Sequence, residues 1–293
     1  MKVGVVVVNR NDGYKDYERG IIHFKSSLEA FDEINYIDWN SPEGSFLWEI
    51  EDDIPKTGKI RHYIIPPEVV NTIIPDPSAQ QCNEGLSRNI GIKRSDCDYI
   101  VSTNIDIIPP TRAELLELIC HLDKNTFYTI SRREAPKELV YKHSHNDIKG
   151  LRESLSHIPE RHFPAKVTPN DNYSLINCCG DFQIAHKSVW EKIRGFEENM
   201  IHQCFVDTNI QKKSIMNGCG LEVLYSPPLY HMEHGAYYTK DDGTRVADLE
   251  NKGDFKGDQK AYNNAYKWVE HFTKTQNTED WGLGNTSIEY ETL

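Results

Sequence analysis

The apolar positions of this chain follow two rhythms. Val3 to Val8 is an unbroken β-branched run without polar alternation, the pattern of a parallel strand buried on both faces. After the polar loop at 9–14, Ile21, Phe24, Leu28 and Phe31 recur at helical spacing and predict an amphipathic helix over 16–31. Short apolar runs at 34–38, 61–67, 99–101 and 127–131 read as further strands, and the helix formers of 83–95 lie between two of them. Thr111-Arg112-Ala113-Glu114 has the form of a capping box, in which Thr and Glu each satisfy a free N–H, and it predicts a helix to about Leu122. Strands alternating with helices predict an open, mostly parallel α/β sheet.

From Glu134 to Asn172 the pattern weakens. Lys, His, Asn and Pro dominate, with one helix predicted near 147–157, so the stretch reads as an excursion over the mouth of a site. Regularity returns with a strand at 173–176, helices at 187–193 and 208–217, and a strand at 221–224. A last helix is expected over 259–272, with Tyr262, Tyr266, Val269 and Phe272 on one face. The final twenty residues are polar, with Trp281 the only large anchor, and read as a mobile tail. The chain thus divides into a domain at 1–239 and a C-terminal extension at 240–293.

Composition narrows the function classes. The 293 residues carry 33 basic and 45 acidic side chains, a net charge of -12. Such a chain is a poor non-specific binder of nucleic acid or of an anionic membrane, and an anionic ligand needs a local basic patch or a bound cation. No apolar run approaches the ~20 residues that span a bilayer. The apolar run at the start is too short for a signal-peptide core. Seven cysteines, with Cys178 beside Cys179 and no CxxC spacing, read as free thiols in a reducing compartment. The expectation is a cytoplasmic protein, with peripheral membrane association open.

Polar clusters interrupt the apolar runs at corresponding places. Asn9–Asp12, Asp38 and Asn104–Asp106 each fall at the carboxyl end of a predicted strand, where open α/β sheets bind ligands. In Asn104-Ile105-Asp106 the outer two residues share a face of an extended segment. Their oxygens suit a ribose and a divalent cation, Mg²⁺ or Mn²⁺. The same tripeptide can equally be a strand-end turn in which Asp106 caps its own backbone.

Longer motifs carry a resemblance. The run CCGDFQIAHKSVWEKIRGFEE at 178–198 resembles the G-D-F…H-R…W…I-G-G-F-D-E segment of nucleotide-sugar glycosyltransferases with the GT-A fold, in their galactosyltransferase-like and chondroitin-synthase-like branches. SRNIGIKRSDCDYIVSTNIDIIPP at 87–110 is similar to their R-N-x-G…D-Y-I…D-x-D…P-P stretch, and SPPLYHMEHG at 226–235 to their P-P…Y-H-x-x-H segment. The resemblance spans roughly residues 1–235. It implies a GT-A-type, Rossmann-like open mixed sheet flanked by helices, a single domain with a C-terminal helical extension. It implies an enzyme that moves a sugar from a nucleotide donor, UDP-linked by preference, to a glycan hydroxyl, with inversion and with Mn²⁺ or Mg²⁺ as cofactor. Asp106 then matches a metal ligand, joined by His231 and His234. Asn9, Arg10, Asp38, Arg88 and Asn104 fall on the donor side, Gly180 and Asp181 on the acceptor side, and Asp207 matches the general base. Three departures stand out: D-x-D is Asn104-Ile105-Asp106, a Glu that holds the acceptor is Val206, and a Gly is Arg194. The first two motivate an alternative, a non-catalytic nucleotide-sugar or glycan-binding module.

Overall fold

The computed structural model describes residues 1–9, 17–39, 41, 54–66, 69–71, 83–143, 145–160, 166–167, 180–200, 206–233, 237–239, 245–247 and 277–293. Strand β1 (Val3–Asn9) pairs in parallel with β2 (Glu33–Trp39) on one side and β4 (Tyr99–Thr103) on the other. β2 continues in parallel to β3 (Ile60–Ile65). Beyond β4, β9 (Phe182–His186) runs antiparallel between β4 and β6 (Thr126–Ile130), and β6 pairs in parallel with β10 (Gly220–Leu224). The two-residue strands β14 (Glu291–Thr292) and β8 (Lys166–Val167) join β3 and β10 antiparallel, completing a nine-stranded sheet in the order β14-β3-β2-β1-β4-β9-β6-β10-β8.

Helices cover both faces, which is why the run at Val3–Val8 needs no polar alternation. Val5 and Val7 pack in a core with Phe24 of α1 (Tyr17–Ala30) and Leu115 of α3 (Arg112–His121). Val6 turns to the other core with Ile90 of α2 (Glu84–Arg94), Trp190 of α6 (Lys187–Ile193) and Ile210 of α7 (Val206–Met216). The capping box at Thr111 is formed in full: the Thr side chain accepts from Glu114 N, and the Glu114 side chain accepts from Thr111 N at 2.8 Å. Thr111→Ala is expected to cost about 1 kcal/mol, read as a lower thermal midpoint with unchanged spectra.

A smaller sheet in the order β5-β11-β7 stands at the carboxyl end of the large one, built from β5 (Ile107–Ile108), β7 (Arg133–Ala135) and β11 (Tyr230–Met232). Ile108, Tyr230 and Met232 share a third core with Val140 of α4 (Lys137–Val140) and with Ile148, Leu151 and Leu155 of α5 (Ile148–Leu155). The first half of the expected excursion is therefore packed structure. The short β12 (Tyr237–Thr239) and β13 (Arg245–Ala247) form a separate antiparallel pair.

Two sequence expectations need correction. The central antiparallel strand β9 was not expected. Its Phe182 and Ile184 enter one core and Ala185 the other, while Gln183 is a buried polar residue that blurs the apolar signature. The tail read as mobile is docked at 277–293. Trp281 is buried in the core beside Ile90, and the Arg94 guanidinium donates to the carbonyls of Gly282, Leu283 and Thr286. The strand expected at 173–176 and the helix at 259–272 lie outside the described residues. Among the described residues no helix is long and apolar enough to cross a membrane, and Cys97, Cys120 and Cys219 are free thiols.

Candidate active site

The carboxyl ends of β1, β2 and β4 and the small sheet bring the singled-out residues to one rim. β4 ends at Thr103, so Asn104 and Asp106 occupy the link into β5. Antiparallel pairing sets His231 opposite Ile107, and parallel pairing sets it opposite Glu134. This register, joining three segments far apart in sequence, lays the His231 side chain between two carboxylates. Nε2 is 3.3 Å from Asp106 Oδ2, and Nδ1 is 2.7 Å from Glu134 Oε2. Burial works against a charged imidazole here, but the two carboxylates outweigh it and raise His231 to about 9. Burial likewise opposes ionisation of Glu134, yet His231 and Arg132 hold it down at about 2.

From this triad a continuous polar chain runs along the rim. Arg132 donates from Nε to Glu134 Oε1 at 2.8 Å and from Nη1 to Asp181 Oδ2. Asp181 Oδ1 accepts from Asn104 Nδ2 at 2.8 Å, and Asn104 Oδ1 accepts from Arg88 Nη2 at 2.5 Å. The remaining Arg88 donors go to Ser102 Oγ (2.7 Å), Thr103 O (3.1 Å) and Glu84 Oε1 (2.9 and 2.6 Å). Arg88 is thus committed to holding Asn104, and Asn104 to holding Asp181. The amide in place of a carboxylate is what makes this bridge: it accepts from a guanidinium on one side and donates to a carboxylate on the other, which an ionised Asp cannot do.

Asp207 opens α7 against this chain. Its side chain is half-buried, and desolvation pushes its carboxyl up to about 6, with the negative charges of Glu84 and Asp181 adding to the rise. The backbone N–H of Thr208 donates to Oδ1 at 2.7 Å and partly offsets the effect. Gly180 explains the contact: a Cβ there would lie 2.1 Å from Asp207 Cβ. Gly180→Ala is expected to force the two segments apart, destabilising by about 1–3 kcal/mol and displacing Asp207. A thermal melt run beside an activity assay checks both effects.

The residues expected on the donor side sit on the neighbouring strands. Asn9 and Asp38 are paired in the register of β1 and β2, and Asn9 Nδ2 donates to Tyr36 Oη at 3.4 Å. Asp38 is fully buried, 3.7 Å from His62 Nε2, and among the described residues neither of its oxygens accepts a hydrogen bond. A buried carboxylate without donors is costly, and a ligand N–H would relieve it. Tyr36 stacks on the His62 ring at 5.4 Å, so the pair forms a flat wall beside Asp38. Arg10 and His234 lie outside the described residues.

No protein-family model matches the sequence, and no curated protein matches it. Solved structures do. A crystal structure of S. aureus TarS 1-349 is 16% identical, with a TM-score of 0.51, over 79% of this chain and 60% of that one. A crystal structure of GalNAc-T7 with UDP, GalNAc and Mn2+ is 12% identical, with a TM-score of 0.56, over 92% of this chain and 48% of that one. Both are GT-A glycosyltransferases. The chain has the GT-A fold. At these identities the likeness speaks for the fold alone, and the chain spans less than two thirds of the length of either structure.

Sequence reading missed Glu134 and Glu84. Glu134 counted only as the start of an irregular stretch. The signal for it was the short strand at Arg133–Ala135, too brief to register as a period. Among the described residues no group of three or more His, Cys, Asp or Glu side chains is arranged to hold a metal ion.

Proposed function

We propose that this chain transfers a glycosyl group from a nucleotide-sugar donor, a UDP-sugar in the first instance, to a hydroxyl of a glycan acceptor, with inversion. The observation that carries the reading is the placement of Asp207. A half-buried carboxylate, raised to about 6, stands against Gly180 beside the polar chain that leads to Asp106 and His231. A general base works best with a pKa near the operating pH, and raising an aspartate toward neutrality is how burial supplies one. Asp207 accepts the proton of the acceptor hydroxyl as its oxygen attacks the anomeric carbon, and the nucleoside diphosphate leaves from the opposite face. Asp181, held by Asn104 and Arg132, faces the acceptor. Asp38, Asn9 and Arg10 take the nucleobase and ribose, with the unsatisfied oxygens of Asp38 the sites for base N–H groups. Arg88 acts on the donor side through Asn104.

The reading includes a divalent cation, for which the described residues supply two ligands, Asp106 and His231, and not a complete set. Asp106 offers an oxygen, His231 an imidazole nitrogen, and His234 follows in sequence. The second nitrogen of His231 is anchored on Glu134, the carboxylate–histidine arrangement that orients metal-ligating imidazoles. A mixed oxygen and imidazole set suits Mn²⁺ better than Mg²⁺, which favours oxygen alone. When bound, the cation supplies charge to stabilise the leaving diphosphate. Glu134→Gln is expected to weaken Mn²⁺ affinity by about 10-fold to 100-fold without unfolding the protein, measured by calorimetric titration of the metal.

The test is nucleotide release from a panel of UDP-sugars with Mn²⁺ and mixed glycan acceptors, followed by NMR of the product. Release that depends on acceptor, with the anomeric configuration inverted, is the expected result. An α-donor yielding an α-product would remove inversion. Turnover with none of the donors, alongside retained nucleotide binding, would favour the non-catalytic module.

A further inference from the structure

A second polar cavity lies at the opposite end of the sheet. A cleft of about 510 Å³ opens where β3 and β4 begin, walled by the last turn of α2, the start of α6 and the docked segment 284–290. The candidate active site lies where β2 and β4 end, so the two are separated by a strand length, about 16 Å over the five residues of β4.

The cleft is lined by four cations, Arg61, Lys93, Arg94 and Lys187, and by one carboxylate, Asp96. Arg61 is already paired, to Asp96 at 2.7 Å and to Glu33 at 3.1 Å. The other three make no ion pair with a carboxylate among the described residues. Arg94 donates to the carbonyls of Gly282 (2.6 Å), Leu283 (2.7 Å) and Thr286 (2.9 Å). Lys187 donates to Ser95 O at 2.7 Å, and the Lys93 ammonium sits 4.6 Å from the centre of the Trp281 ring. Carbonyls and a ring fix these groups in place without cancelling their charge. Burial lowers the Arg94 pKa, and the negative charge of Asp280 offsets this only in part. In a chain of net charge -12 this is a local concentration of positive charge. Tyr290, half exposed, adds an aromatic face, backed by the buried Tyr63 ring 5.1 Å away.

We propose that this cleft binds a phosphate-bearing small molecule, its anion held by Lys93 and Lys187 in the field of Arg94 and its organic part against Tyr290. The volume falls in the range of small-molecule sites, about 300–1,000 Å³, and exceeds what one phosphate fills. The site is independent of glycosyl transfer and stands or falls without it.

The test is a titration of the whole ¹⁵N-labelled protein with inorganic phosphate at constant ionic strength, following the indole N–H of Trp281, assigned with Trp281→Phe. Saturable movement of that signal is expected, weakened at least tenfold in the double variant Lys93→Gln/Lys187→Gln. That variant leaves Arg94 to hold the docked segment, and a thermal melt checks that it does. Phenyl phosphate is expected to bind more tightly than inorganic phosphate. No saturable movement, or movement unchanged in the double variant, would overturn the site. Equal affinity for the two phosphates would overturn the role of Tyr290.

Discussion

Asp207→Asn is expected to lower kcat for glycosyl transfer by about 10²–10⁴-fold and to leave donor binding intact. The amide keeps the shape and can still accept the Thr208 N–H, but it cannot take a proton from an acceptor. The same substitution raises stability above neutral pH. The folded-state pKa of Asp207 lies above its ordinary value, at about 6. Folding therefore favours the protonated form. The stability this lends is present in full below about pH 4 and is lost as pH rises through about 6. Above that, a partly desolvated charge remains at a cost of at most about 3 kcal/mol, reduced by solvent screening, which the neutral amide avoids. The wild-type profile should mirror this: kcat/KM rises through pH 6 and flattens above it. A donor-binding titration, a thermal melt at pH 8 and a pH–rate profile check the three parts. A variant that turns over normally would remove Asp207 from its role.

Asp106→Asn is expected to weaken nucleotide binding in the presence of Mn²⁺ by about 100-fold or more, with little effect on whatever affinity remains without metal. The reason is local. The substitution removes an anionic oxygen facing His231 and leaves His231 anchored on Glu134, so the small sheet keeps its register. Calorimetric titration of UDP, with and without Mn²⁺, separates loss of the metal from loss of the nucleotide site. Equal weakening in both conditions would make Asp106 a plain contact of the nucleotide.

The parts of the fold legible in sequence were those with a long or chemically distinctive signal. Val3–Val8 announced a two-sided strand, the spacing from Ile21 to Phe31 a helix, and Thr111–Glu114 a helix start. The silent parts were short and depended on partners elsewhere. Ile107–Ile108, Arg133–Ala135 and Tyr230–Met232 are strands of two or three residues that exist because they pair with one another. No local pattern announces such a sheet, and so Glu134 went unnoticed although it holds His231. The same limit hid β9, whose place between β4 and β6 makes a mostly parallel sheet mixed. Asn104 was legible as a polar residue at a strand end. Its work as a tie between Arg88 and Asp181 becomes visible only when α2 and the segment at Gly180 are brought to it.

The central claim is a metal-dependent nucleotide site at the rim of the sheet, and a thermal-shift comparison of UDP, GDP, CMP and dTDP tests it most directly. Each nucleotide is measured alone, with Mn²⁺ and with Mg²⁺, on the wild type and on Asp106→Asn. Ligand at a hundred times its dissociation constant stabilises by about 2.7 kcal/mol, a shift of a few degrees for a domain this large. Such a shift is expected for UDP only when Mn²⁺ is present, and its loss is expected in the variant. No shift with any nucleotide under any condition would contradict it, leaving the GT-A fold without the donor site argued for here.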